Sequence, residues 1–250
     1  MKQRSFIAWR GPSELDGKPV QVIMVPKSSN KKTGPMWQAH ILRADMPPTE
    51  AIRTGADESI CGGCRHRGIP QPDGTHIDRS CYVVYAQGPQ STWRANQGAG
   101  VQDIAETLLA LHEADLRVGA YGDPAAVPLH FWLSILRVVR MWTAYTHQWP
   151  DLDLYTWGAF CMASVDTEEE AAHARRMGWR TFRVGDGVMD REVRCPNTVT
   201  GVQCIDCGAC DGLRFGQKSG RVSIVIEPHG AGSKHLRTFN ASAVAARGIR

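Results

Sequence analysis

The run CPNTVTGVQCIDCGAC, residues 195–210, holds four of the chain's eight cysteines. Cys204, Cys207 and Cys210 stand at C-x2-C-x2-C spacing, and Cys195, followed by Pro196, lies nine residues upstream. Thiolates bind soft metals, and spacing bears on which one. A zinc ion usually draws its ligands from two separated pairs that surround it tetrahedrally. A triplet with two-residue spacers wraps a larger iron–sulfur cluster, with a remote Cys-Pro as the completing ligand. The spacing favours an iron–sulfur cluster of the 4Fe-4S kind, with zinc as the alternative. Four thiols suffice for one complete site.

A second group, Cys61, Cys64 and Cys81, is one ligand short. Three thiols can serve a cluster with one open iron, or zinc with His66 or His76 as the fourth ligand. An open iron is where a substrate or S-adenosylmethionine could bind. The two groups could also pool their ligands in one site. Cys161 sits in an apolar run and reads as a buried thiol.

The composition sets the frame for these sites. With 250 residues and 42% hydrophobic content, the chain can build a core without help from a metal. A net charge of +4 permits nucleic-acid contact without arguing for it. No apolar run is long enough to span a membrane, and the first residues, MKQRSFIAWRGPSEL, lack the apolar core of a secretory signal. The expectation is a cytoplasmic protein with no membrane partner, whose thiols stay reduced.

The elements that must position the cysteines follow from periodicity. Residues 19–27 and 36–44 are apolar, β-branched runs around the polar turn SSNKKTG, which predicts a hairpin. Residues 45–100 are rich in Gly and Pro and read as an irregular region organised around the first cysteine group. Helical spacing then appears at 101–114, a strand at 116–123, and a helix at 128–141 that opens on a proline. Residues 142–147 and 160–165 read as short strands, and 180–184 and 221–230 as further strands. In DTEEEAAHARRMG, Thr167 and Glu170 form a capping box and Gly178 ends the helix. Alternating strands and helices predict an α/β fold, a partial or open (β/α) barrel with an N-terminal β-hairpin and cysteine-rich metal-binding loops. The organisation divides as 1–100, 101–232 and a basic tail, 233–250, within one integrated domain.

In such folds ligands bind beyond the carboxyl ends of the strands. The residues there are Tyr121 and Asp123, then Tyr145, Thr146 and His147, then Ser164 and Asp166, and finally Glu227 and His229. Tyr121, Asp123, His147, Ser164, Asp166 and His229 form the candidate catalytic rim, suited to binding a polar ligand or moving protons. Blander roles compete: Asp166 as a helix N-cap, Asp123 as a turn residue before Pro124, His147 as a satisfied half-buried histidine. NKKTG and RHRG supply local positive charge, and interleaved aromatics could bind single strands, but most tryptophans lie in apolar runs and read as core.

The ordered set NKKTG, CGGCRHRG, SCYV, GPQSTW, GAYGDPAAVP, AYTHQW, ASVDTEEEAAHARRMGWRTFRV and CPNTVTGVQCIDCGAC resembles an uncharacterised family of cysteine-rich proteins from phages and bacterial mobile elements. More loosely, cysteines followed by βα units look like radical S-adenosylmethionine enzymes with an auxiliary cluster. The C-x3-C-x2-C triplet of those enzymes is absent, since Cys61, Cys64 and Cys81 have spacers of two and sixteen residues. The resemblance implies redox or radical chemistry on a polar or nucleotide-like substrate, inside a host cell if the chain is phage-encoded. The auxiliary-cluster role falls on Cys195, Cys204, Cys207 and Cys210. The alternative is a zinc or iron–sulfur protein without catalysis that binds nucleic acid or a host protein.

Overall fold

The computed structural model describes residues 4–27, 30–73, 75–77, 79–214 and 222–228. His229 and the basic tail lie outside the described residues. Twelve strands are present among them. They are β1 (Phe6–Pro12), β2 (Pro19–Val25), β3 (Trp37–Arg43), β4 (Ile69–Pro70), β5 (His76–Ile77), β6 (Asp115–Tyr121), β7 (Met141–Thr143), β8 (Tyr145–Thr146), β9 (Met162–Val165), β10 (Thr181–Val184), β11 (Glu192–Arg194) and β12 (Ser223–Ile226). The helices are α1 (Pro48–Thr54), α2 (Glu58–Cys61), α3 (Gly88–Ala95), α4 (Ile104–Leu111), α5 (Leu129–Leu136), α6 (Glu168–Arg176), α7 (Pro196–Thr200) and α8 (Cys204–Cys207). None is long and apolar enough to cross a membrane.

The expected hairpin is β2 and β3, antiparallel from Val20 opposite Arg43 to Val25 opposite Gln38. β1 adds to its outer edge, also antiparallel. β4 and β5 form a separate antiparallel pair, and in the two five-stranded sheets every pairing beyond β2–β3 is parallel. One sheet runs β1-β2-β3-β6-β7 and the other β11-β12-β10-β9-β8. Only Ala144 separates β7 from β8. Its N–H donates to the carbonyl of Cys210 and its carbonyl accepts from Met162, which bends one strand path into both sheets. The result is an open α/β arrangement with no closed barrel among the described residues. Because β3 pairs with β6, residues before and after position 100 share one sheet.

Burial explains the layers. β2, β3, β9 and β12 are almost continuously buried, as expected for strands covered on both faces. In β6 the pattern alternates. Leu116 and Val118 enter the core, and Arg117, Gly119 and Tyr121 turn to the opposite face. Residues 45–100 are more ordered than the Gly and Pro content predicts, since α1, α2 and α3 occupy them. Each is too short to show helical periodicity. In α4, Asp103 caps the helix by accepting from Ala105 N–H, so Val101 lies outside it and bridges Ile7. Helix α5 likewise starts at Leu129, with Pro128 just ahead of it. Helix α6 begins as the capping box predicts. The Thr167 hydroxyl accepts from Glu170 N–H, while the Glu170 carboxylate reaches one residue further back, to Asp166 N–H. Thr167 is therefore the N-cap, which leaves the Asp166 side chain for other work.

Candidate functional site

Seven of the eight cysteines line one cavity of about 370 Å³. Cys161 is the exception and is fully buried in the core. β6 contributes Arg117 and then Gly119, Ala120 and Tyr121, and β10 contributes the alternate positions Phe182 and Val184.

The first group arrives in the long connection after β3. Cys61 ends α2, Cys64 follows a two-glycine turn, and Cys81 comes after the β4–β5 hairpin. Two strand ends hold this loop in place. Asp123 N–H donates to the Ile60 carbonyl at 2.6 Å. Gln148 donates from Nε2 to the Cys61 carbonyl at 3.0 Å and accepts from Gly63 N–H. Gly62 has φ +54° in this turn, and a Cβ there would stand 2.6 Å from the Gln148 amide oxygen. No side chain fits. Below the loop the buried Asp57 carboxylate pairs with both Arg67 and Arg79, which also bond backbone carbonyls.

The second group follows β11. Cys195 precedes α7 and its N–H donates to Val225 in β12. Helix α8 then reaches the loop before β3, where Cys204 N–H donates to Lys32 O and Ile205 N–H to Thr33 O. Gln203 adds a bond to Lys31 O. The segment 195–207 thus joins the last strand of the parallel run to the first without a strand of its own. Arg180 secures its far end by donating to the carbonyls of Ala209, Gly212 and Val222.

Burial pushes the Cys61 thiol well up, and the neighbouring Cys64, Asp57 and Cys81 push the same way. Burial likewise raises Cys64 to about 11 and Cys210 to about 12, and lifts Cys81 and Cys204. Without a cation these sulfurs hold their protons. A bound metal would displace them.

The tetrahedral zinc geometry, with Zn–S bonds of about 2.3 Å, brings sulfurs to about 3.8 Å from one another. Among the described residues, the one set of three metal-ligating side chains with all ligand atoms within 4.8 Å is His66, His147 and Asp166. The cysteine sulfurs are spread more widely than a single zinc ion requires.

Of the rim residues, Tyr121, Asp123, His147 and Ser164 line the cavity. Asp123 is spent on structure: its carboxylate accepts from Thr146, from His147 N–H and from Ala125 N–H. Burial raises its pKa, against those bonds. Asp166 stands behind the wall and orients His66. Nε2 of His66 is 2.8 Å from Asp166, and Nδ1 is 2.7 Å from the Ser80 hydroxyl. Both ring nitrogens of His66 are engaged. His76 bonds the Ile52 carbonyl, away from the cysteines. Glu227 pairs with Arg194 outside the main cavity. Two buried polar atoms on the cavity side meet no hydrogen-bond partner among the described residues: the Tyr121 hydroxyl and His147 Nε2.

Sequence reasoning missed Arg117, Ser80 and the loop-holding Gln148, and had Lys32 only as part of the basic turn NKKTG. Arg117 left one signal, a lone charge in the strand LRVGAY. No family model, no curated protein and no solved structure matches this chain.

Proposed function

We propose that this chain is an iron–sulfur redox enzyme with two thiolate sites facing one substrate cavity. The observation that carries the proposal is the convergence of seven cysteines, widely spaced for one zinc ion, on a single cavity. Cys195, Cys204, Cys207 and Cys210 would hold a complete cluster. Cys61, Cys64 and Cys81 would hold one with a vacant position, where S-adenosylmethionine could bind. The clusters would supply one-electron chemistry.

The protein's own residues give that chemistry a setting. The open run of parallel strands acts as a partial barrel, and the 195–207 segment covers its gap. Tyr121, buried against the first group, offers an unpaired hydroxyl, and burial, then Cys61, holds its proton on. His147 offers a free ring nitrogen beside the oriented His66, with ring centroids 5.5 Å apart. These two donors or acceptors can place a polar substrate or receive a proton next to the open site. The loose likeness to radical S-adenosylmethionine enzymes supports the same reading.

The test is cleavage of S-adenosylmethionine by anaerobically reconstituted, chemically reduced protein. Cleavage is expected, and its loss in Cys64→Ser. Absence of both binding and cleavage, with a reduced cluster present, would remove the radical reading.

A further inference from the structure

The cations of the cavity fall into two kinds. Arg67 and Arg79 share the Asp57 carboxylate, and Arg67 also meets Glu58 at 3.8 Å. Arg117 and Lys32 have no such partner: neither meets a carboxylate among the described residues. The Arg117 guanidinium donates to the Tyr82 hydroxyl at 2.7 Å and otherwise faces the cavity. Lys32 lines the same cavity, and its carbonyl accepts from Cys204 N–H. Asp123 is the one carboxylate in the described lining, and it is consumed by its own hydrogen bonds. Two cations without a carboxylate partner in one cavity lining repel each other unless an anion joins them.

Next to them is an apolar surface. Tyr145 and Phe182 form an aromatic pair with centroids 4.5 Å apart, and both line the cavity with Val184 and Ile226. Tyr145 is also an electrostatic neighbour of Arg117. Arg117 therefore sits where the aromatic pair meets the charged loop. A planar guanidinium is suited to two-pronged recognition of an oxyanion. The cavity volume of about 370 Å³ suits a single small ligand.

We infer that this cavity binds a small ligand with an oxyanionic end, phosphate or carboxylate, on Arg117 and Lys32, and a flat apolar body against Tyr145 and Phe182. A nucleoside monophosphate has this chemistry, and so does an aromatic carboxylate. The inference rests on the proposed function for its place beside the thiolate sites, but the anion site itself needs no metal.

A competing role for Arg117 is to balance the charge of a cluster held by the second cysteine group. Calorimetric titration separates the two. Adenosine 5′-monophosphate, adenosine and phenylacetate are titrated into the full chain, both metal-free and reconstituted, with iron measured in each sample. Adenosine 5′-monophosphate or phenylacetate is expected to bind, and which of them binds identifies the anion. Adenosine should bind at least about 10-fold more weakly than its monophosphate if phosphate is the anion. Arg117→Gln should weaken anion binding about 10- to 100-fold, the loss of charge-assisted hydrogen bonds. Lys32→Gln, in an exposed loop residue, should weaken it less and keeps the test valid if Arg117→Gln does not fold. Binding of neither anion, or binding indifferent to both substitutions, would overturn the inference. Loss of iron in Arg117→Gln without anion binding by wild type would assign Arg117 to the cluster instead. Anion binding in protein that takes up no iron would keep this site and remove the iron–sulfur reading.

Discussion

Cys204 N–H donates to the carbonyl of Lys32 at 2.9 Å, so the second cysteine group is held by the hairpin loop near the other end of the chain. Gly34 makes this approach feasible. Its φ is +73°, and a Cβ would stand 2.8 Å from both the Gln203 amide oxygen and the Ile205 side chain.

Gly34→Val should therefore push α8 off the loop. A β-branched residue at positive φ adds backbone strain to the clash. The expected cost is about 2 kcal/mol or more in unfolding free energy, together with loss of metal from the second group and retention at the first. Denaturant melts and metal analysis of the variant check it. Unchanged stability and metal content would mean that the loop contact does not hold the site.

Gln148→Leu removes one donor to Cys61 O and one acceptor for Gly63 N–H. One part-buried and one exposed hydrogen bond are worth about 1–2 kcal/mol together. The first cysteine loop should open locally, with faster amide exchange at Cys61–Cys64 and no change at Cys204–Cys207. Uniform exchange across both loops would contradict this division.

Asp166→Asn has a signed pH dependence. Burial pushes the Asp166 carboxyl up, but the hydrogen bond and charge of His66, with His147 and Arg65, outweigh it and hold the pKa at about 2. A depressed carboxylate stabilises the fold above its unfolded value and loses that contribution as pH falls through its folded one. At pH 7 the variant should be about 2–3 kcal/mol less stable than wild type, and the gap should close between about pH 4 and pH 2. Unfolding measured across that range is the check, and a gap constant with pH would refute it.

Arg180→Met should be more damaging. Arg180 is buried and donates to three carbonyls around the second cysteine loop while facing Asp211. Its removal leaves buried acceptors without a donor, at about 3–5 kcal/mol. Chemical denaturation should show the drop. A near-neutral substitution would mean that the loop is held elsewhere.

Local chemistry was legible in the sequence where one element decides it. The capping box of α6 and the β2–β3 hairpin are set by residues a few positions apart, and both form. β3, β9 and β12 announced themselves through apolar runs. β11 did not, because Glu192 and Arg194 flank a single valine and its pairing comes wholly from β12. Helices α1 to α3 stayed hidden because each is too short for periodicity and lies among glycines and prolines. The cysteines were legible as two groups, but not as neighbours of one cavity. That convergence depends on contacts such as Cys204 to Lys32 and Gln148 to Cys61, which join residues far apart in the chain and leave no local pattern. Asp166 read equally well as a cap, and only its contact with His66 separates the two roles.

The central claim is tested most directly by iron, acid-labile sulfide and zinc per chain after purification without oxygen. Two clusters predict roughly eight irons with matching sulfide and substoichiometric zinc, falling by about half when Cys204 and Cys207 are both changed to Ser. A colourless protein with stoichiometric zinc and no sulfide, or one with no metal at all, would contradict the account.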